Sequence, residues 1–156
     1  MTAEDINGPE LKFPPPLLVL AVAGVAALVD WISPLPIIER GAPWLSGAAV
    51  IALAMLLAVI ALAHFISAKT HVEPWHPTTT IIQTGIYRFS RNPIYLAFCI
   101  ATIGTGLVLN SWWVVASAAP LNLLLQSLVI RREEAYLEAK FGETYLEYKR
   151  RVRRWL

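Results

Sequence analysis

The stretch that decides the fold runs from Ile94 to Ile130, IYLAFCIATIGTGLVLNSWWVVASAAPLNLLLQSLVI. It holds no Asp, Glu, Lys or Arg. Two apolar runs lie in it, joined by little more than Asn110-Ser111. Each is long enough to approach the ~30 Å of bilayer hydrocarbon at ~1.5 Å per helical residue. Irregular backbone is not tolerated in lipid, so the runs read as two membrane helices in a tight antiparallel hairpin. Pro120 falls inside the second run and is expected to kink it. The glycines of Gly104-Thr105-Gly106 lie within a span, where close helix packing accounts for them better than a dinucleotide loop does.

Upstream the same signal recurs twice. Spans are expected at about 14–33, 44–67, 93–109 and 112–130, with a loop at 68–92 and a helical tail at 131–156. The fold class expected is all-α: a polytopic membrane protein with four transmembrane helices and a C-terminal interfacial helical tail, forming one domain over 1–156. The composition agrees, with 56% hydrophobic residues and a mean hydropathy of +0.55. The single cysteine, Cys99, excludes an intrachain disulfide. The acidic, proline-rich start lacks a basic leader and a cleavage site, so the first run is expected to be retained.

Charge orients the spans. Of thirteen Lys and Arg, eight lie from Arg131 onward. The 68–92 loop adds Lys69, Arg88 and Arg91, whereas the first loop has only Arg40. The positive-inside rule then puts both termini on the cytoplasmic side of a plasma or inner membrane. In the tail, apolar and aromatic residues recur at roughly helical spacing with a break expected at Gly142. Tyr136, Phe141, Tyr145 and Tyr148 read as interface anchors, and no nucleic-acid partner is expected.

A tight hairpin brings the start of the third span beside the end of the fourth. Arg91-Asn92-Pro93-Ile94-Tyr95 and Arg131 to Glu134 then meet at one level. Pro93 suits a first helical turn with Asn92 as cap. Arg91 and the amides near it suit an anion, and Glu133 or Glu134 suits a cation. A ligand carrying both charges fits such a pairing. His71 and His76 lack a third spaced ligand, so no metal site is expected.

The order T-G-x-Y-R-x-S-R-N-P-x-Y (84–95), then a hairpin, then R-R-E-E-x-x-L-x-x-x-F-G-x-x-Y-x-x-Y (131–148) resembles the isoprenylcysteine carboxyl methyltransferase family and the wider phospholipid methyltransferase group. The likeness covers about residues 70–156. It implies an integral membrane methyltransferase that uses S-adenosylmethionine on a lipophilic or lipidated acceptor bearing a carboxylate, thiol or amine. Carried onto this chain, it implies His71, Tyr87, Arg91, Asn92, Pro93, Tyr95, Glu133 and Glu134 at the cofactor. It also implies Arg131 and Glu134 at the reacting centre. The family often has histidine where Asn92 stands. A Glu134→Gln chain is expected to lose cofactor affinity while still folding. Two other classes compete: a small membrane protein docking a partner or anionic lipid through its basic tail, and a nicotinamide-dependent membrane reductase.

Overall fold

The computed structural model describes residues 14–39, 43–68, 70 and 78–156. Among them every long element is helical: α1 Pro15–Ile32, α2 Trp44–Ser67, α3 Pro93–Val108, α4 Trp112–Ala116, α5 Ala118–Leu125, α6 Arg131–Phe141 and α7 Glu143–Arg151. A 3₁₀ turn, Gly85–Arg88, precedes α3, and a π-helical turn, Gln126–Ile130, links α5 to α6. Among the described residues, three helical stretches are long and apolar enough to cross a membrane: Pro15–Ile32, Trp44–Ser67 and the continuous run Trp112–Phe141. Pro93–Val108 is apolar but has 16 residues. On α1 and α2 large apolar side chains such as Leu20, Leu53 and Met55 point outward, as lipid contact demands.

The chain divides into two compact units, one of residues 13–57 and 95–125, the other containing 58–94 and 126–156. In the first, the hairpin is closed by its turn. Asn110 adopts φ 53°, a left-handed conformation that asparagine tolerates better than most residues. Its side chain accepts from the Ile37 and Ile38 amides (both 3.1 Å) and donates to the Ile38 carbonyl (3.0 Å), stitching the turn to the segment after α1. Ser111 caps α4 by accepting from the Val114 amide at 3.3 Å. The Trp113 indole donates to the Ser33 carbonyl at 2.9 Å. Gly104 packs on the Gly47 turn of α2, and Gly106 on Val115 of α4. Small residues at these crossings let backbones approach closely.

The fourth apolar run carries a turn at Ser117, between α4 and α5, whose backbone stays helical (φ −64°, ψ −16°). The proline acts upstream of itself: Pro120 has no N–H for the carbonyl four residues earlier, Ala116, where α4 ends.

In the second unit the end of α2, the 3₁₀ turn, the start of α3, the π turn, α6 and α7 pack around Val129, Ile130, Tyr87, Tyr145 and Tyr148, all buried. The α6–α7 break falls at Gly142, with φ 52° and ψ −129°, a region open to glycine because it lacks Cβ. Surface pairs Lys149–Glu138 and Arg150–Glu143 decorate the helices and contribute little to stability.

Candidate functional site

The site grows from Ser90-Arg91-Asn92, just before α3. After α7 the chain turns extended at Val152 (φ −119°, ψ 131°) and runs back against this triplet. The Arg91 amide donates to the Arg153 carbonyl (3.1 Å). The Asn92 side-chain amide and the Ser90 hydroxyl both donate to the Arg154 carbonyl, at 3.0 and 3.4 Å. Ser90 is 1% exposed and also accepts from the Asn92 amide at 3.2 Å. The polar residues at the mouth of α3 therefore hold the tail in place.

Side chains complete the centre. Arg91 Nη1 lies 2.9 Å from Glu134 Oε1, both side chains more than nine-tenths buried. Arg154 grips the same carboxylate as a fork, Nε to Oε1 at 2.9 Å and Nη2 to Oε2 at 2.7 Å. Planar guanidinium matches carboxylate geometry in this way. Arg91 Nη1 also reaches the Tyr145 hydroxyl at 3.4 Å. Two guanidinium charges against one carboxylate leave the triad with a net charge of +1. Arg91 Nε–H is buried and has no hydrogen-bond partner among the described residues. A buried donor left unmade is costly, so this atom marks a place for an acceptor.

Aromatic groups wall the triad. The Tyr148 hydroxyl donates to the Tyr87 carbonyl at 2.8 Å. Tyr145 and Tyr148 meet edge to face at 6.1 Å, and Phe65 meets Tyr87 similarly at 5.9 Å. His64 lies 6.1 Å from the Tyr87 ring. Burial pushes the Tyr145 phenol up to about 12 against the pull of Arg91. It raises Tyr87 and Tyr148 further, with the Tyr148 and Glu133 charges acting in the same sense on Tyr87. These folded values exceed the ordinary phenol value of ~10. The stability they contribute is therefore full below pH ~10 and is lost as pH rises through the folded values. Phenolate absorbance should show three tyrosines titrating late in the native protein and normally in denaturant. Tyr145→Phe should remove one of the three; a native titration matching the denatured one would contradict the burial.

Not every expected residue joins this centre. Arg91, Asn92 and Glu134 come together as the hairpin requires. Pro93 is buried and opens α3. Glu133 is half-buried and acts electrostatically on Tyr87. Arg131 opens α6 and is exposed. Tyr95 belongs to the other unit, where its ring lies 6.2 Å from Phe98. His71 lies outside the described residues. One expectation needs correction. Tyr145 and Tyr148 are 3% and 4% exposed; they form the core of their unit and are not interface anchors. Glu134, expected to suit a cation, has both oxygens on the arginines Arg91 and Arg154. Arg154 and Ser90 were missed. Arg154 sits in a basic run that reads as topogenic charge.

Residues 43–144 match the family model described as phospholipid methyltransferase. The chain belongs to the phospholipid methyltransferase family, a family of membrane methyltransferases. Among its relatives, the Protein-S-isoprenylcysteine O-methyltransferase of Saccharomyces cerevisiae is 37% identical over 92 residues, 54% of this chain and 34% of that protein. The protein of the same name from Schizosaccharomyces pombe is 29% identical over 102 residues, 64% of this chain and 40% of its own. An uncharacterized protein of Haemophilus influenzae is 47% identical over 57 residues, 32% of this chain and 90% of that protein. The chain thus matches well under half the length of the two fungal relatives.

Proposed function

We propose that this chain transfers a methyl group from S-adenosylmethionine to a lipophilic acceptor resident in the membrane. The observation that carries the reading is the buried Arg91 Nε–H, an unspent donor in a centre of net charge +1. An amino-acid carboxylate is the acceptor that such a donor fits. Arg91 would hold that carboxylate, with the Asn92–Pro93 start of α3 beside it. Glu133, next to Tyr87, would take the ammonium. Bound there, the cofactor supplies an electrophilic methyl group on a sulfonium.

What remains for the protein is positioning. In-line displacement needs the nucleophile held in one geometry, and orientation of this kind is worth roughly 7–11 kcal/mol in well-built systems. Buried tyrosines around Arg91 exclude water, which strengthens every charge interaction inside. A carboxylate acceptor needs no base at neutral pH, whereas an ammonium must first lose a proton. The fungal relatives are named for O-methylation of S-isoprenylcysteine, and a lipidated acceptor with an oxygen nucleophile is the form of the reading favoured here. Exposed Arg131 would orient such an anion. In this reading α3 also crosses the bilayer, a 16-residue helix being accommodated by local thinning. That makes four spans, with the 68–92 loop, the tail and both termini on the cytoplasmic face.

Calorimetric titration of the detergent-purified chain tests this. S-adenosylmethionine and S-adenosylhomocysteine should bind and NADPH should not. Binding of NADPH alone would replace the reading with a reductase, and binding of none in a folded sample would remove the enzyme.

A further inference from the structure

We infer that the junction between the 3₁₀ turn and the end of α7 is a docking surface for anionic phospholipid headgroups, with Arg88, Arg151 and Arg153 taking the phosphates and Phe89 entering the acyl region. The basic side chains around this junction fall into two groups. Arg91 and Arg154 share Glu134, Lys149 pairs with Glu138, and Arg150 with Glu143. Arg88, Arg151 and Arg153 are exposed, and none of the three pairs with a carboxylate among the described residues. Arg151 donates to the neutral Gln83 side chain at 2.7 Å, and Arg153 to the Leu156 carbonyl at 3.5 Å. The fold gathers the three in one place. Arg88 ends the 3₁₀ turn, Gln83 lies shortly before that turn, and the Arg91 amide shortly after it holds the Arg153 carbonyl. One exposed carboxylate, Glu147 on α7, stands against three guanidiniums, so the patch stays positive.

The patch lies where apolar helix gives way to charge. Phe89 stands just ahead of Pro93, the first residue of α3. The Trp155 indole donates to Gln126 at 3.4 Å. Gln126 lies shortly before Arg131, the first charged residue of the membrane-crossing run Trp112–Phe141. At this depth a bilayer presents its headgroups, and anionic lipids there attract basic groups flanking a span. Aromatic side chains also concentrate at this level. Phe89 is 71% exposed, and entry among acyl chains takes its ring out of water. Arginine suits the phosphate itself, since its planar fork offers paired donors. A charge and an apolar ring exposed on the adjacent residues 88 and 89 fit an amphiphile. A soluble phosphate would leave the ring in water.

The full chain reconstituted in phosphatidylcholine vesicles provides the test. Electron spin resonance measures how strongly spin-labelled phosphatidylglycerol is held at the protein relative to spin-labelled phosphatidylcholine. The unaltered chain should favour phosphatidylglycerol. Arg88→Gln and Arg153→Gln should each lower that preference about fivefold, the scale of one basic charge at an anionic surface. Both side chains are exposed and without a carboxylate partner, so these variants should melt with the unaltered chain. Arg150→Gln removes the same charge from a group that Glu143 already offsets, and should lower the preference less. Phe89→Trp should add fluorescence that chains brominated near the headgroup quench and aqueous iodide does not. No preference in the unaltered chain, or one lowered equally by Arg150→Gln and Arg88→Gln, would overturn the inference. So would iodide quenching of the added indole. Displacement of the labelled lipid by glycerol phosphate would also overturn it, because a soluble phosphate would then be the ligand.

Discussion

Glu134→Gln is expected to destabilise the chain by about 3–5 kcal/mol, the usual cost of breaking a buried ion pair by removing one partner. The sequence reading expects this variant to fold normally with weakened cofactor binding; the triad changes that expectation. Arg91 is 7% exposed at its side chain and Arg154 28%. Neutralising the carboxylate leaves two guanidiniums facing one another, one of them shut away from water. An amide retains an oxygen acceptor but offers no charge, and its NH₂ would point at a guanidinium that has only donors. In thermal unfolding the midpoint should fall by about 10 °C. Glu134→Gln combined with Arg154→Gln should recover part of the loss, because the repulsion is removed with the second charge. A single variant melting with the unaltered chain would mean that the Arg91–Glu134–Arg154 contacts carry no net stability.

The meeting of the segment 91–95 with the segment 131–134 was legible in the sequence, and for a simple reason. Two apolar runs joined at Asn110-Ser111 admit only an antiparallel hairpin, and that fixes which polar ends are neighbours. Hydropathy likewise marked α1 and α2 nearly to the residue, and Gly142 marked the break in the tail. Whether Glu133 or Glu134 faces Arg91 was not legible. The π turn Gln126–Ile130 explains this. A wider turn advances the following helix by about 100° at 3.6 residues per turn relative to an α-helical count, and QSLVI gives no local sign of it. The tyrosines failed differently. Tyr145 and Tyr148 at helical spacing read as interface anchors, and only the surface they pack against shows them to be core. For Arg154 the difficulty was crowding: among eight basic residues after Ile130, none is distinguished until the carbonyls of 153 and 154 are seen pinned to Ser90, Arg91 and Asn92.

The hairpin that makes this meeting possible sets the second large expectation. Gly106→Ala should destabilise the chain by about 1–3 kcal/mol or more, as overpacking does. A β-carbon there would lie 2.5 Å from the Val115 amide nitrogen and 3.0 Å from its Cα. These are backbone atoms, which no rotamer change can move. Nor is α4 free to retreat. The Ser111 amide is bonded to the Gly106 carbonyl at 2.9 Å, Asn110 is tied to residues 37 and 38, and Trp113 to Ser33. The helices would have to part. Gly24, within α1, supplies the control, since a methyl group added there meets nothing within 4 Å. Gly24→Ala should be neutral or stabilise by up to about 1 kcal/mol through helix propensity alone. The same chemical change should thus act with opposite sign in α1 and α3. Unfolding curves of the two single variants decide it: a Gly106→Ala chain as stable as Gly24→Ala would mean that the hairpin is not packed backbone to backbone.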